Sequence, residues 1–141
     1  MSAIYLDNCI VIHLIEGPDD FQELCYRALV ARKAGGAQLC FTDLTCLECR
    51  TLPLRKGQRR VLEEYDNFFG LPETSRLPIN EQVFEIATEL RAFQNLKTPD
   101  ALHLAAAIDH GCTEFWTNDL HLKSAAANRL QIINPLDSAR E

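Results

Sequence analysis

No stretch of this 141-residue sequence is apolar for long enough to cross a bilayer. The longest uncharged apolar runs, Asn8 to Ile15 and Ala101 to Ile108, fall far short of the ~20 residues a spanning helix needs, so no membrane association is expected. Met1 to Asp7 contain no basic segment leading into an apolar one; no secretory signal is read there, and the expected location is the cytoplasm. In that reducing setting the six cysteines (9, 25, 40, 46, 49 and 112) read as free thiols rather than a disulfide framework. Cys46 and Cys49 form a lone C-x-x-C with no second pair at zinc-finger spacing, inside an apparent helix, which favours small buried hydrophobes over zinc or redox chemistry. Internal repeats, low-complexity tracts and linkers are also missing, so residues 1–141 are read as one domain. Positive charge is scarce: fourteen Lys and Arg against twenty Asp and Glu leave a formal net charge of −6, which opposes a protein that coats itself with nucleic acid.

What is present is ordinary globular material, 47% hydrophobic and 24% charged, enough for a core that needs no disulfide or structural metal. Ala3 to Leu6 is a short apolar run read as a buried strand, after which Asn8 is expected to cap a helix that stops at Gly17-Pro18. Asp19-Asp20 open a second helix ended by Gly35-Gly36, and Gln38 to Thr42 read as a strand. A helix from Asp43 is followed by an expected turn over Pro53 to Gly57, then by a helix carrying Val61, Leu62, Tyr65, Phe68 and Phe69. Ser75 to Ile79 is read as a strand interrupted by Pro78, and Asn80 as the cap of a helix with Val83, Ile86, Ala87 and Leu90 on one stripe. Thr98-Pro99-Asp100 reads as cap, first-turn proline and first-turn acid of a helix that is apolar almost all round. Glu114 to Thr117 and Leu130 to Ile133 complete the strands. This alternation predicts an α/β protein with a parallel sheet covered on both faces.

Four acids fall where such an architecture gathers side chains. Asp7 ends the first strand and Asp119 follows the strand Glu114 to Thr117, and the carboxyl ends of parallel strands are where open α/β sheets bind ligands. Asp100 stands in the first turn of the most apolar helix, and Glu48 sits mid-helix with no obvious ion partner. Singly, each has an ordinary explanation as a cap, a dipole-complementing residue or a solvated side chain. Jointly, converging carboxylates call for a divalent cation, and an all-oxygen set selects magnesium or manganese over zinc. The four histidines form no evident acid–base pair, and His103 reads as a packed core histidine.

Tyr5-Leu6-Asp7, Leu44 to Cys49, Thr98 to Ala107 and Thr117-Asn118-Asp119 resemble the four motifs of a PIN domain over essentially the whole chain, with most specificity in the run Asp100 to Ala107. The resemblance is to the single-domain VapC-type toxins of prokaryotic toxin–antitoxin pairs. It implies a three-layer α/β/α fold with a central parallel sheet of four to five strands, and a Mg2+- or Mn2+-dependent ribonuclease. Asp7, Glu48, Asp100 and Asp119 would be the acidic metal ligands, Thr117 a supporting hydroxyl and Asn118 a lesser neighbour. A cognate antitoxin and a homodimer are the implied partners. One departure is visible, Asn8 standing where many members carry Thr or Ser after the first acid.

Arg50, Arg55, Lys56, Arg59 and Arg60 place five of the fourteen basic residues just after the helix of Glu48, as candidate contacts for an RNA backbone. With four acids assigned to one pocket, the net acidity marks a site more than a repellent surface. Two other enzyme classes fit worse: a haloacid-dehalogenase-like phosphatase needs a second Asp two residues after Asp7, where Cys9 stands, and a receiver domain needs a Lys after a late strand. A PIN-like module that binds RNA or a partner without cutting is the alternative reading.

Overall fold

The computed structural model describes residues 2–137; Met1 and residues 138–141, the extremities of the expected domain, lie outside the described residues. Strands β1 (Ala3–Leu6), β2 (Gln38–Phe41), β3 (Thr74–Arg76), β4 (Glu114–Trp116) and β5 (Gln131–Ile133) form one sheet in the order β3-β2-β1-β4-β5. Every pair is parallel, with Ile4 opposite both Leu39 and Glu114. Helices α1 (Asn8–Glu16) and α2 (Asp19–Ala34) join β1 to β2, and α3 (Asp43–Arg55) and α4 (Arg59–Phe69) join β2 to β3. α5 (Glu81–Gln94) and α6 (Thr98–Asp109) return the chain to β4, and α7 (Leu122–Ala126) leads to β5. The expected α/β class and parallel sheet are therefore present, with five strands.

Period-two alternation divides the core into two layers. Tyr5, Cys40, Phe115 and Ile132 face a cluster built with α5, α6 and α7, including Leu90, Leu104 and Leu122. Ile4, Leu6, Leu39, Phe41 and Trp116 face the opposite cluster, built with Ile10, Cys25, Leu29, Tyr65 and Phe69 of α1, α2 and α4. Both faces of the central strands are thus dry, as a parallel sheet with crossover helices requires.

Several local details differ from expectation. The cap of α1 is Asp7, whose Oδ1 accepts from the Asn8 N–H at 2.8 Å; Asn8 is the first helical residue. Lys97 occupies the cap position of α6, so Thr98 is already helical and makes no capping bond. α3 runs through Pro53, and the turn shrinks to Lys56 and Gly57, with Gly57 at φ 68°. A proline in the last turn forfeits only one backbone hydrogen bond, and Pro53 is buried there. β3 is shorter than expected: Leu77 makes a final backbone bond to the Phe41 carbonyl at 2.7 Å, and Pro78 has no N–H to continue. The one-turn helix α7 was not expected, because five residues are too few to display a helical period.

Candidate metal centre

The sheet order reverses between β1 and β4: the chain first builds outward from β1 to β3, then returns to β1's other side. Such a switch point opens a crevice beyond the carboxyl ends of the two strands. Asp7 leaves β1 at this crevice and Thr117-Asn118-Asp119 leave β4 beside it, tied by the Asp7 N–H to the Trp116 carbonyl at 3.0 Å. The Thr117 hydroxyl donates to Asp7 Oδ2 at 2.8 Å and accepts from the Asp119 N–H at 3.0 Å, so one buried side chain fastens both acid-bearing loops. Asp119 Oδ1 in turn accepts from the His121 N–H at 3.0 Å.

α6 and α3 contribute the other two acids. Asp100, in the first turn of α6, has its carboxyl pKa raised, first by burial and then by the charges of Asp7 and Asp119, with Glu48 adding in the same direction and His103 opposing. This is the electrostatic signature of carboxylates sharing one space. Glu48 is not the unpartnered residue that the sequence suggested: its Oε1 is hydrogen-bonded to His103 Nε2. The same nitrogen is 3.9 Å from Asp7 Oδ1. Asp7 and Glu48 thus both lie near His103 Nε2, and the charges of Asp7, Asp119 and Glu48 all act on Asp100. Asn118 stands between Thr117 and Asp119, its N–H donating to Cys9 Sγ at 3.5 Å and its buried Oδ1 without a hydrogen-bond partner among the described residues.

His103 is buried, as read, but both its nitrogens are engaged. Nδ1 is 2.6 Å from the Tyr5 hydroxyl, which also lies 3.1 Å from Thr42 Oγ1 and 3.4 Å from Thr45 Oγ1. The Tyr5 hydroxyl stays protonated, because its burial pushes the pKa up. A layer of polar residues thus lies directly beneath the acids, and the sequence reading missed it. Its signal was periodic: Tyr5 precedes Asp7 by one strand repeat, Thr45 precedes Glu48 by one helical turn, and His103 follows Asp100 by one turn.

The donor set suits a hard divalent cation in chemistry and charge, being carboxylate oxygens without a thiolate. Burial pushes the Cys46 and Cys49 thiols up, and the Cys9 thiol up to about 11, so none is an anionic sulfur near neutral pH. Among the described residues no three His, Cys, Asp or Glu already stand at ligand geometry. Oxygens of Asp7, Glu48 and Asp119 are instead engaged by His103, Thr117 and the N–H groups of Asn8 and His121.

The basic cluster divides. Arg50 is paired with Asp66 at 3.0 Å. Arg55, Lys56, Arg59 and Arg60 are exposed around the Gly57 turn and make no ion pair among the described residues. Arg55 lies two turns beyond Glu48 on α3, on the same helical face.

Residues 4–128 match the family model for the PIN domain. No curated protein sequence matches the chain significantly. Among solved structures, the fold is similar to VapBC2 from Rickettsia felis bound to a DNA fragment from its promoter, with TM-score 0.76, 17% identity and coverage of 94% of this chain and 98% of that one. It is also similar to FitAcB from Neisseria gonorrhoeae, with TM-score 0.73, 22% identity and coverage of 94% and 98%. A toxin–antitoxin complex from Klebsiella pneumoniae matches with TM-score 0.68, 24% identity and coverage of 95% and 98%.

Proposed function

The chain belongs to the PIN domain family, and we propose that it is a divalent-metal-dependent endoribonuclease, the toxin of a VapBC-type toxin–antitoxin pair. The observation that carries this reading is the Thr117 hydroxyl, which donates to Asp7 and accepts from the Asp119 N–H at the switch point, while Asp100, with a raised carboxyl pKa, is acted on by the charges of Asp7, Asp119 and Glu48. Asp7, Glu48, Asp100 and Asp119 are the proposed ligands of Mg2+ or Mn2+. When bound, such an ion would draw charge from the scissile phosphate and acidify a water for in-line attack. The protein's own part is positional. Thr117 and the Asn8 N–H orient the two oxygens of Asp7, and Asn118 sits in the loop that presents Asp119. No side-chain nucleophile is required.

Arg55, Lys56, Arg59 and Arg60 are proposed to carry the RNA backbone along α3 toward Glu48, whereas Arg50 is held by Asp66. Reversing both Arg55 and Arg59 to Glu is expected to weaken RNA binding and to lower the slope of log K against log salt by about 1.4, at ~0.7 per single-strand phosphate contact. An unchanged slope in fluorescence-anisotropy titrations removes this path.

An apolar cleft of about 110 Å³ lies between α1, α2 and α4, lined by Leu14, Tyr26, Leu29, Val30 and Phe68. Tyr26 and Val30 are substantially exposed there, which suits an apolar helix of a cognate antitoxin. The family resemblance further supports a homodimer, a single PIN domain over 1–141 and action in the cytoplasm. No helix among the described residues is long and apolar enough to cross a membrane.

The test is cleavage of single-stranded RNA by purified, partner-free protein with Mg2+, with Mn2+ and with EDTA. Cleavage is expected with either metal, to vanish with EDTA, and to be lost in Asp7→Ala. A parent that cuts nothing with either metal, or an Asp7→Ala variant that cuts as well as the parent, sinks the nuclease reading.

A further inference from the structure

The acids of the pocket do not stand alone. Behind them runs a hydrogen-bonded chain from the core to one of their oxygens: the hydroxyls of Thr42 and Thr45, the Tyr5 hydroxyl, His103 Nδ1, His103 Nε2, and Glu48 Oε1. Every link before Glu48 is anchored. Tyr5 is fully buried, stacks on Phe115 with ring centroids 5.1 Å apart, and meets the imidazole edge-on at 5.7 Å. Thr42 and Thr45 close a capping box at the start of α3, so the same hydroxyls that hold Tyr5 also fix the helix that carries Glu48. Glu48 itself is a partly exposed side chain with three torsions to restrain, and His103 is the contact that restrains its carboxylate.

From this geometry we propose that His103 is a positioning residue of the metal centre, its Nε2–H setting the Glu48 carboxylate toward Asp7 and Asp100. The assignment rests on the metal-dependent nuclease reading and adds to it a specific support for one ligand. A buried imidazole needs a partner at each ring nitrogen, and here the partner at Nε2 is the carboxylate of Glu48, with Asp7 at 3.9 Å. Because a carboxylate only accepts, Nε2 is the nitrogen that donates to Glu48, which in the Nε2–H tautomer leaves Nδ1 to accept from the Tyr5 hydroxyl. Glu48 therefore selects this tautomer, and the Tyr5 hydroxyl, able to donate to Nδ1, is compatible with it. Partners of this kind orient ligands from behind and typically change metal affinity by ~10–100-fold when removed.

The experiment compares the parent with His103→Ala, His103→Gln, His103→Asn and Tyr5→Phe, all partner-free and checked for folding by thermal unfolding and near-UV circular dichroism. Mn2+ affinity is measured without RNA by calorimetry, the metal concentration for half-maximal RNA cleavage is measured separately, and the ring nitrogens are assigned by NMR in metal-free protein. His103→Ala is expected to raise both the Mn2+ dissociation constant and the half-activating concentration about 10-fold or more. His103→Gln, whose amide nitrogen reaches the place of Nε2, is expected to recover to within about 3-fold of the parent, and His103→Asn is not. The parent should show the Nε2–H tautomer, and Tyr5→Phe, which keeps the core volume and leaves the Glu48 acceptor in place, should show it too. Parental affinity in a folded His103→Ala, a His103→Gln variant no better than Ala, or an Nδ1–H tautomer in the parent overturns the assignment alone. If His103→Ala does not fold, parental Mn2+ affinity in a folded His103→Asn, whose shorter amide does not reach Glu48, overturns it equally. A parent that binds no Mn2+ and cuts no RNA overturns the nuclease reading and this assignment together.

Discussion

Asp100→Asn is expected to stop RNA cleavage and at the same time to make the metal-free protein harder to unfold. The two effects share one cause. Asp100 is brought into partly dry surroundings beside Asp7 and Asp119, with Glu48 also near, and its carboxyl pKa lies above the ordinary carboxylate value for those reasons. A carboxyl with a raised pKa in the folded state binds its proton more tightly there than in the unfolded chain, so ionising it works against folding. At neutral pH that penalty is present in full. It is relieved as pH falls through the folded pKa, and it disappears below the unfolded value of about 3.9. Asn keeps the shape and removes the charge, so the variant should melt above the parent near pH 7, with the gap closing as the solution is acidified. Mg2+ should reverse the order, because only the parent gains stability from a ligand bound to the native state. Cleavage should fall by at least ~100-fold, the upper end of what loss of an outer partner costs. A variant that melts below the parent without metal would contradict this account of Asp100. One that still cuts at a tenth of the parental rate would remove it from the ligand set.

The largest loss of stability is expected from Trp116→Ala. Trp116 is 1% exposed, shares one of the two core layers with Leu6, Ile10 and Phe41, and stands immediately before Thr117. Its Nε1–H donates to Glu114 Oε1 at 3.1 Å, and Glu114 Oε2 accepts from Arg32 at 2.5 Å, with the Arg32 guanidinium carbon 5.8 Å from the indole centroid. Truncation leaves a cavity and deprives a nearly buried carboxylate of one of its two donors. Replacing a buried Trp or Phe by Ala costs about 3–5 kcal/mol, a large part of the ~5–15 kcal/mol that holds a typical domain together. With a urea m-value near 1–3 kcal/mol/M, the midpoint should fall by about 1 M or more at unchanged slope. Trp116→Phe should lie between, since it keeps most of the apolar volume and loses the N–H. A fall below about 1 kcal/mol in Trp116→Ala would mean that the layer refills the space, contrary to close packing.

Much of the molecule was legible in its sequence because the relevant signals are local. Short apolar runs separated by capped amphipathic helices specify strands and helices through a period of two or of 3.6, and those periods need only a few residues to be read. The same rules placed Asp7 at a strand end and Asp100 in a first turn. They were less sure at junctions. Whether Asp7 or Asn8 caps α1 depends on where the strand lets go, and whether Pro53 ends α3 depends on what its ring packs against.

The sequence by itself determined an α/β protein with three acids at the ends and beginnings of its elements and a fourth, Glu48, in the middle of a helix. Only the tertiary structure decided that β4 adds to the free side of β1, which makes a switch point of the place where Asp7 and Asp119 meet. It also decided that Glu48 is held by His103, 55 positions away, with Tyr5 behind it. The reason is physical: local periodicity reports which face of an element is dry, whereas strand order and hydrogen bonds between distant side chains are settled when the layers pack. A histidine on an apolar helix reads as core from its neighbours in sequence, and its function is written in its neighbours in space.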